Sequence, residues 1–130
     1  MSTTSTAPSV LIVGLPWDHP LVAAQVADPT VIRDGLDNVV QSINNAGYKL
    51  APYYFGPGDA AGLQGLVALL KKNDYDAVVV GFGVRGSVDL TEFFEEIVNT
   101  VKDTAPRARL LFNSSPPSTL DAVKRAFPLA

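Results

Sequence analysis

The sequence predicts a single α/β domain, a three-layer sandwich in which helices cover both faces of a four-stranded parallel sheet of order 2-1-3-4. Strand-like and helix-like segments alternate four times along the 130 residues, which is typical of right-handed β-α-β crossovers. The first and third strands are continuous apolar runs, as expected of strands buried on both faces. The second strand contains Pro52, and the fourth alternates arginines with apolar residues, so both belong at sheet edges.

The first strand is predicted over residues 10–15, after a small, polar and disordered tail at residues 1–9. A long connection over residues 16–27 follows. Apolar residues then recur at helical spacing, which predicts the first helix. Asp28 or Thr30 can cap the start of this helix, because both side chains offer an oxygen to free backbone N–H groups.

The second strand is predicted over residues 48–55 and the second helix directly after a Gly/Pro turn. The two-residue period of a strand places one of Tyr53 and Tyr54 toward the core and the other toward solvent. The following helix has apolar residues on one face, but Gly62 and Gly65 reduce its intrinsic stability.

The third strand, residues 76–80, is the most hydrophobic element and leads into a glycine-rich turn at residues 81–87. The apolar spacing of the next segment predicts the third helix. Asp89 followed by Glu92 resembles a capping box at its start. Pro106 ends this helix, because proline interrupts helical hydrogen bonding.

The fourth strand is predicted over residues 107–112 and a polar loop over residues 113–117. The last helix is predicted to begin at a Ser118 cap, followed by apolar residues at helical spacing. The domain therefore spans residues 10–130 and has four strand-helix units.

The composition excludes several classes of function. The chain has no cysteine, which excludes disulfides, thiolate catalysis, Cys-ligated zinc and iron–sulfur clusters. Its net charge is -3 and it has no cluster of basic residues, so neither nucleic acid nor an anionic membrane surface is an expected partner. No apolar run approaches the ~20 residues of a membrane span. We expect a cytoplasmic protein with no metal site.

The strand order predicts where a ligand binds. In open α/β sheets, ligands bind at the carboxyl ends of the strands where the order reverses, here between the first and third strands. The loops at residues 16–27, 81–87 and 113–117 should converge there. We expect a small anionic ligand, held by polar side chains and backbone N–H groups. The predicted ligand-binding residues are Gly81, Gly83, Arg85, Gly86, Ser87, Asn113, Ser114 and Ser115.

Residues 81–86 match the pattern G-x-G-x-x-G, and three interpretations of this turn are open. The backbone N–H groups and Arg85 could hold a phosphate or carboxylate. A dinucleotide site would also need an acidic residue at the end of the next strand, where this chain has Asn113. Alternatively, the turn needs glycine for its geometry alone, and Arg85 is solvated or paired with Asp89.

His19 is the only histidine and the predicted catalytic acid or base, assisted by Asp18. An imidazole titrates near neutrality and suits proton transfer. The alternative is a loop histidine that Pro20 stiffens. The loop at residues 113–117 has a similar alternative, since it could be a polar turn rather than a source of ligand contacts.

The overall arrangement resembles the flavodoxin and response-regulator fold, without the acidic residues that receivers carry. A closer resemblance, to a group of small uncharacterised flavodoxin-like proteins of bacteria and fungi, covers the second half of the chain. It is carried by Gly81-Phe82-Gly83-Val84-Arg85, Phe93-Phe94-Glu95, Ala105-Pro106, Phe112-Asn113 and Pro116. This resemblance implies a flavodoxin-like fold and no established activity.

We therefore expect a protein that binds a small phosphate- or carboxylate-bearing molecule and needs no cofactor. If it is an enzyme, a cofactor-independent isomerase, lyase or hydrolase using His19 fits the sequence. One alternative is a non-catalytic protein-interaction module. Another is a nucleotide- or dinucleotide-binding domain of the oxidoreductase type. The guarded sheet edges leave a monomer or a homodimer formed through helix faces.

Overall fold

Four parallel strands form one sheet in the computed structural model, which describes residues 7–128. The strands are β1 (Ser9–Gly14), β2 (Lys49–Tyr54), β3 (Ala77–Val80) and β4 (Arg109–Phe112). Their order is β2-β1-β3-β4, with every neighbouring pair parallel. The predicted order is confirmed, and Pro52 lies on an edge strand as its missing N–H requires.

Residues 7–128 contain five helices. They are α1 (Pro20–Ala23), α2 (Pro29–Asn45), α3 (Ala60–Lys72), α4 (Thr91–Thr104) and α5 (Thr119–Ala126). Short 3₁₀ turns lie at Phe82–Val84, Val88–Leu90 and Pro116–Ser118. Helices α3 and α4 pack on one face, and α2 and α5 pack on the other. The chain has the predicted flavodoxin-like three-layer fold.

The central strands divide their side chains between two hydrophobic cores. Leu11, Val13, Val78 and Val80 point toward α3 and α4, whereas Val10, Ile12, Ala77 and Val79 point toward α2 and α5. These side chains are almost completely buried. Alternate residues of β1 and β3 therefore face different cores, which explains why both strands are apolar throughout.

The start of the sheet differs from the prediction. β1 begins at Ser9, and the Pro8 carbonyl already accepts a hydrogen bond of 2.9 Å from the Lys49 N–H. The end of the predicted tail is thus paired in the sheet, while residues 1–6 lie outside the described part of the chain.

The connection between β1 and α2 contains the short helix α1, which the sequence prediction missed. His19 caps it, because Nδ1 accepts a 3.1 Å hydrogen bond from the Leu21 N–H. Of the two predicted caps of α2, Asp28 is the correct one, since its carboxylate accepts from the Thr30 N–H. Helix α1 places the chain over the carboxyl end of β1.

Two predicted helix caps form differently from the prediction. The Asp89/Glu92 capping box does not form, because the Ser87 hydroxyl accepts from the Asp89 N–H and a 3₁₀ turn precedes α4. Ser118 is the N-cap residue of α5, as predicted, but its side chain makes no capping hydrogen bond to the helix. Its hydroxyl accepts from the Ser114 and Ser115 N–H groups at 2.9 and 3.1 Å. Ser118 therefore closes the loop after β4.

Candidate functional site

A cavity of about 280 Å³ lies at the carboxyl ends of β1 and β3, where the strand order reverses. Its apolar wall is formed by Ile12, Val13, Leu15, Val22, Val26, Ile32 and Leu36. The segment from α1 to the first turns of α2 supplies the last four of these side chains. The crevice that the strand order predicts therefore contains a cavity, and the connection after β1 covers it.

The polar groups of the lining are few. They come from Gln25, Tyr54, Asn113, Ser114 and Ser115. Among the described residues that line the cavity, none is Asp, Glu, His, Lys or Arg. An ionised ligand group deep inside would have no countercharge, which is energetically unfavourable in an apolar environment. The cavity is chemically suited to an apolar body with a polar group at one end.

Asn113 fixes that polar end. It is 5% exposed, and its Oδ1 accepts a 2.8 Å hydrogen bond from the Phe82 N–H. Its Nδ2 donates to the buried Thr119 hydroxyl at 2.8 Å. The side chain thus joins the turn after β3 to the start of α5. Asn113 lines the cavity as well as holding the two loops together.

Arg85 lies beside the cavity and outside its lining. Its Nη2 donates to the Asn113 carbonyl at 3.0 Å, and its Cζ lies 4.9 Å from the centre of the Phe82 ring. The predicted alternative, a pair with Asp89, is not among the salt bridges within residues 7–128. Arginine has five N–H donors, and the side chain is exposed. The guanidinium therefore places a positive charge next to the Asn113–Ser114 peptide.

Four backbone amides of the glycine-rich turn are already hydrogen-bonded within the protein. The N–H groups of Gly81, Phe82, Val84 and Arg85 already donate to Val13, Asn113, Gly81 and Phe82, respectively. Those four amides are therefore satisfied within the protein. Residues 82–84 form a 3₁₀ turn instead.

The predicted binding residues divide into two groups. Gly81, Gly83, Asn113, Ser114 and Ser115 line the cavity. Arg85, Gly86 and Ser87 lie outside the lining. The hydrogen side chain of Gly86 leaves room for the side chains of Gln25 and Phe82, and Ser87 caps a 3₁₀ turn.

His19 and Asp18, the predicted acid–base pair, are not part of the cavity lining. The imidazole lies against Gly56, where an added Cβ would be 2.8 Å from Nε2. Because Nδ1 accepts the Leu21 N–H, the proton of the neutral ring is on Nε2. Asp18 is exposed. The structure thus gives His19 a role in shaping the connection that covers the cavity.

Gln25 is a cavity residue that sequence reasoning missed. Its Nε2 donates to the Leu21 and Gly83 carbonyls, both at 3.1 Å. This side chain ties the segment over the cavity to the turn after β3. A single glutamine in a connection gives no sequence signal of such a role, since its partner is 58 residues away.

Tyr54 is the second cavity residue that the sequence did not identify. The prediction that one of the paired tyrosines faces solvent is wrong, because both are half-buried. The Tyr53 hydroxyl donates to the Gly62 carbonyl at 2.6 Å, and Tyr54 lines the cavity. Burial, with a further contribution from the charge of Asp37, raises the pKa of Tyr54 to about 12. Its phenol is therefore protonated at neutral pH.

The Tyr54 phenol gives a pH-dependent prediction. Its pKa is higher in the folded than in the unfolded state, so its contribution to stability is complete below pH 10 and is lost as the pH rises toward about 12. We expect Tyr54→Phe to reduce the fall in melting temperature between these pH values. Parallel thermal melts of wild type and variant measure this, and identical alkaline profiles would contradict a buried phenol.

Other kinds of site are not found in the described chain. Within residues 7–128, no group of three or more His, Asp or Glu side chains is placed to hold a metal ion. Nor does any helix in this range have the length and apolar character needed to cross a membrane. Comparisons with protein-family models, with curated proteins and with solved structures gave no match.

Proposed function

We propose that this protein binds a small organic acid, with the apolar body of the ligand in the cavity and its carboxylate or phosphate at the polar end. The observation that carries the proposal is the cavity of about 280 Å³ at the reversal of the strand order, with a mostly apolar lining and with Asn113, Ser114 and Ser115 grouped beside the end of β4. Open α/β sheets bind ligands at this position.

The apolar wall and the volume support a compact body. The volume is close to the lower limit of about 300 Å³ for small-molecule pockets, which suits one or two rings. Burial of apolar surface contributes about 25 cal/mol per Å², so a ligand of this size gains affinity mainly from its body. A dinucleotide is larger than this cavity, which argues against the oxidoreductase alternative.

The placement of the acid group is supported by Arg85 and the two serines. Ser114 and Ser115 line the cavity beside Asn113. The guanidinium of Arg85 is hydrogen-bonded to the Asn113 carbonyl, adjacent to the Ser114 amide. An acid group at this end would find serine hydroxyls and a positive charge.

Ligand binding is favoured over proton-transfer catalysis. Among the described residues that line the cavity, Tyr54 alone has a titratable side chain, and burial raises its pKa further above neutral pH. His19 and Asp18, on which an isomerase, lyase or hydrolase would depend, are not among the lining residues. Direct proton transfer needs hydrogen-bond reach between the base and the substrate.

The test is isothermal titration of a panel of aromatic and aliphatic carboxylates and phosphates. We expect wild type to bind one or more of them and Arg85→Ala to weaken that binding about tenfold or more, as expected for the loss of a charge-assisted contact. Arg33→Ala is the matched control, because Arg33 is also exposed and lies 5.2 Å from an aromatic ring, that of Trp17. It should bind as wild type does.

Two results would contradict the proposal. Equal affinities of wild type and Arg85→Ala would show that the acid group of the ligand does not bind at the polar end beside Arg85. Absence of binding across the panel would favour the protein-interaction alternative. One observation supports that alternative: the apolar side chains of Phe82, Val88 and Phe112 are exposed to solvent, and that of Val88 is 89% exposed.

A further inference from the structure

Three glycines line the cavity, and neither their backbone nor their packing requires glycine. The positive-φ glycines are Gly47 and Gly58, so Gly14, Gly81 and Gly83 have φ values that other residues adopt. A Cβ at Gly14 would be 3.7 Å from the Tyr54 ring, and one at Gly81 would be 3.5 Å from the Val13 carbonyl. Both are ordinary van der Waals distances. A Cβ at Gly83 would meet nothing within 4 Å.

The glycines outside the cavity differ in this respect. Gly47 and Gly58 have positive φ angles of 103° and 80°. A Cβ at Gly35 would lie 3.3 Å from Pro116, and one at Gly56 would lie 2.8 Å from His19. At Gly62 the distance to Phe55 would be 2.6 Å. A Cβ at Gly65 or Gly86 would overlap Tyr53 or Gln25. All ten glycines of the chain are described, and the three in the cavity are the ones with neither a positive φ nor a Cβ position closer than 3.4 Å to another atom.

From this correspondence we infer that the cavity selects a flat aromatic ring system as the body of its ligand. The inference rests on the proposed function and adds the shape of the ligand. Without Cβ atoms at Gly14, Gly81 and Gly83, the ends of β1 and β3 present bare peptide groups to the cavity. The rings of Tyr54 and Phe82 also line the cavity. The Tyr54 ring lies beside Gly14, and Phe82 stands between Gly81 and Gly83 in the sequence.

The contact chemistry favours an aromatic over a saturated ring. Peptide groups and aromatic rings make close contacts with flat π systems, and aromatic pairs gain about 0.5–1.5 kcal/mol beyond the burial of area. A saturated ring of the same carbon skeleton is thicker and stands off from such surfaces, which weakens dispersion contacts. Gly83 belongs to the cavity lining, and a methyl group there would meet no protein atom within 4 Å.

The test compares naphthoate with its fully hydrogenated counterpart, decalin carboxylate, by isothermal titration. The two acids share a skeleton and a carboxylate and differ in flatness. We expect wild type to bind naphthoate about tenfold more tightly. Gly83→Ala should weaken naphthoate binding by a similar factor without lowering the melting temperature. Gly65→Ala is the control outside the cavity, and it should lower the melting temperature but preserve the preference for naphthoate.

The possible results separate this inference from the proposed function. If wild type binds both acids equally, or Gly83→Ala binds naphthoate as wild type does, the selection of a flat body is wrong. Acid binding that depends on Arg85 would still stand in that case. If wild type binds neither acid, the inference is overturned, and the titrations of the wider panel then decide whether the proposed function fails with it.

Discussion

Replacing Asn113 with alanine is expected to destabilise the fold by about 2–4 kcal/mol, because the change removes two hydrogen bonds and leaves their partners unpaired. The Phe82 N–H loses its 2.8 Å acceptor, and the buried Thr119 hydroxyl loses its 2.8 Å donor. Urea denaturation of wild type and variant measures the difference in the free energy of unfolding.

Thr119→Val is the matched control for Asn113→Ala. It removes the partner of Nδ2 but leaves the bond between Oδ1 and the Phe82 N–H intact. We expect it to cost less than Asn113→Ala, and the double variant should cost less than the sum, because the two residues share a bond. Additive costs, or an unchanged midpoint for Asn113→Ala, would show that Asn113 does not hold the two loops together.

The strand order could be predicted because a few residues restrict it strongly. Pro52 cannot donate a ladder hydrogen bond, so β2 had to be an edge strand. The unbroken apolar runs of β1 and β3 required cover on both faces. Together these features left the order 2-1-3-4, and the order in turn located the crevice in which the cavity lies.

The directions of the side chains around the crevice could not be predicted. Arg85 is close to the polar end but contacts Phe82 and the Asn113 carbonyl, and nothing in G-x-G-x-x-G specifies those partners. His19 caps a four-residue helix that has no periodic signal of its own. The place of Tyr54 in the cavity depends on the exact end of β2, and strand ends are poorly defined by sequence patterns.

The predicted capping side chains were wrong for a related reason. Ser, Asp and Glu near a helix start satisfy backbone N–H groups in several local arrangements of similar energy. The sequence showed suitable residues at Asp89 and Ser118. In the structure, Ser87 serves the turn before α4, and Ser118 serves the loop after β4. Which arrangement forms depends on contacts distant in the sequence, including those of Asn113.

Replacing Gly62 with alanine is expected to destabilise the fold by about 2 kcal/mol, although alanine is the better helix former by about 1 kcal/mol. Gly62 is a buried residue of α3, and a Cβ there would lie 2.6 Å from the Cβ of Phe55. Phe55 is buried and packs edge-to-face on Phe93, with ring centres 5.1 Å apart. The clash involves atoms next to the backbone, so rotating a side chain cannot relieve it.

Gly65→Ala and Gly83→Ala complete this comparison in the same denaturation experiment. At Gly65 the added methyl would meet the far end of the half-buried Tyr53 side chain, which can move, so a smaller loss is expected. At Gly83 the added methyl would meet no atom within 4 Å. The free energy of unfolding should therefore be unchanged or higher by about 0.4–1 kcal/mol, since alanine restricts the unfolded chain. A stabilised Gly62→Ala would mean that α3 does not pack against Phe55 as described. If Gly83→Ala unfolded the protein, Gly83 would be needed for the fold, and its absent side chain would no longer indicate a ligand.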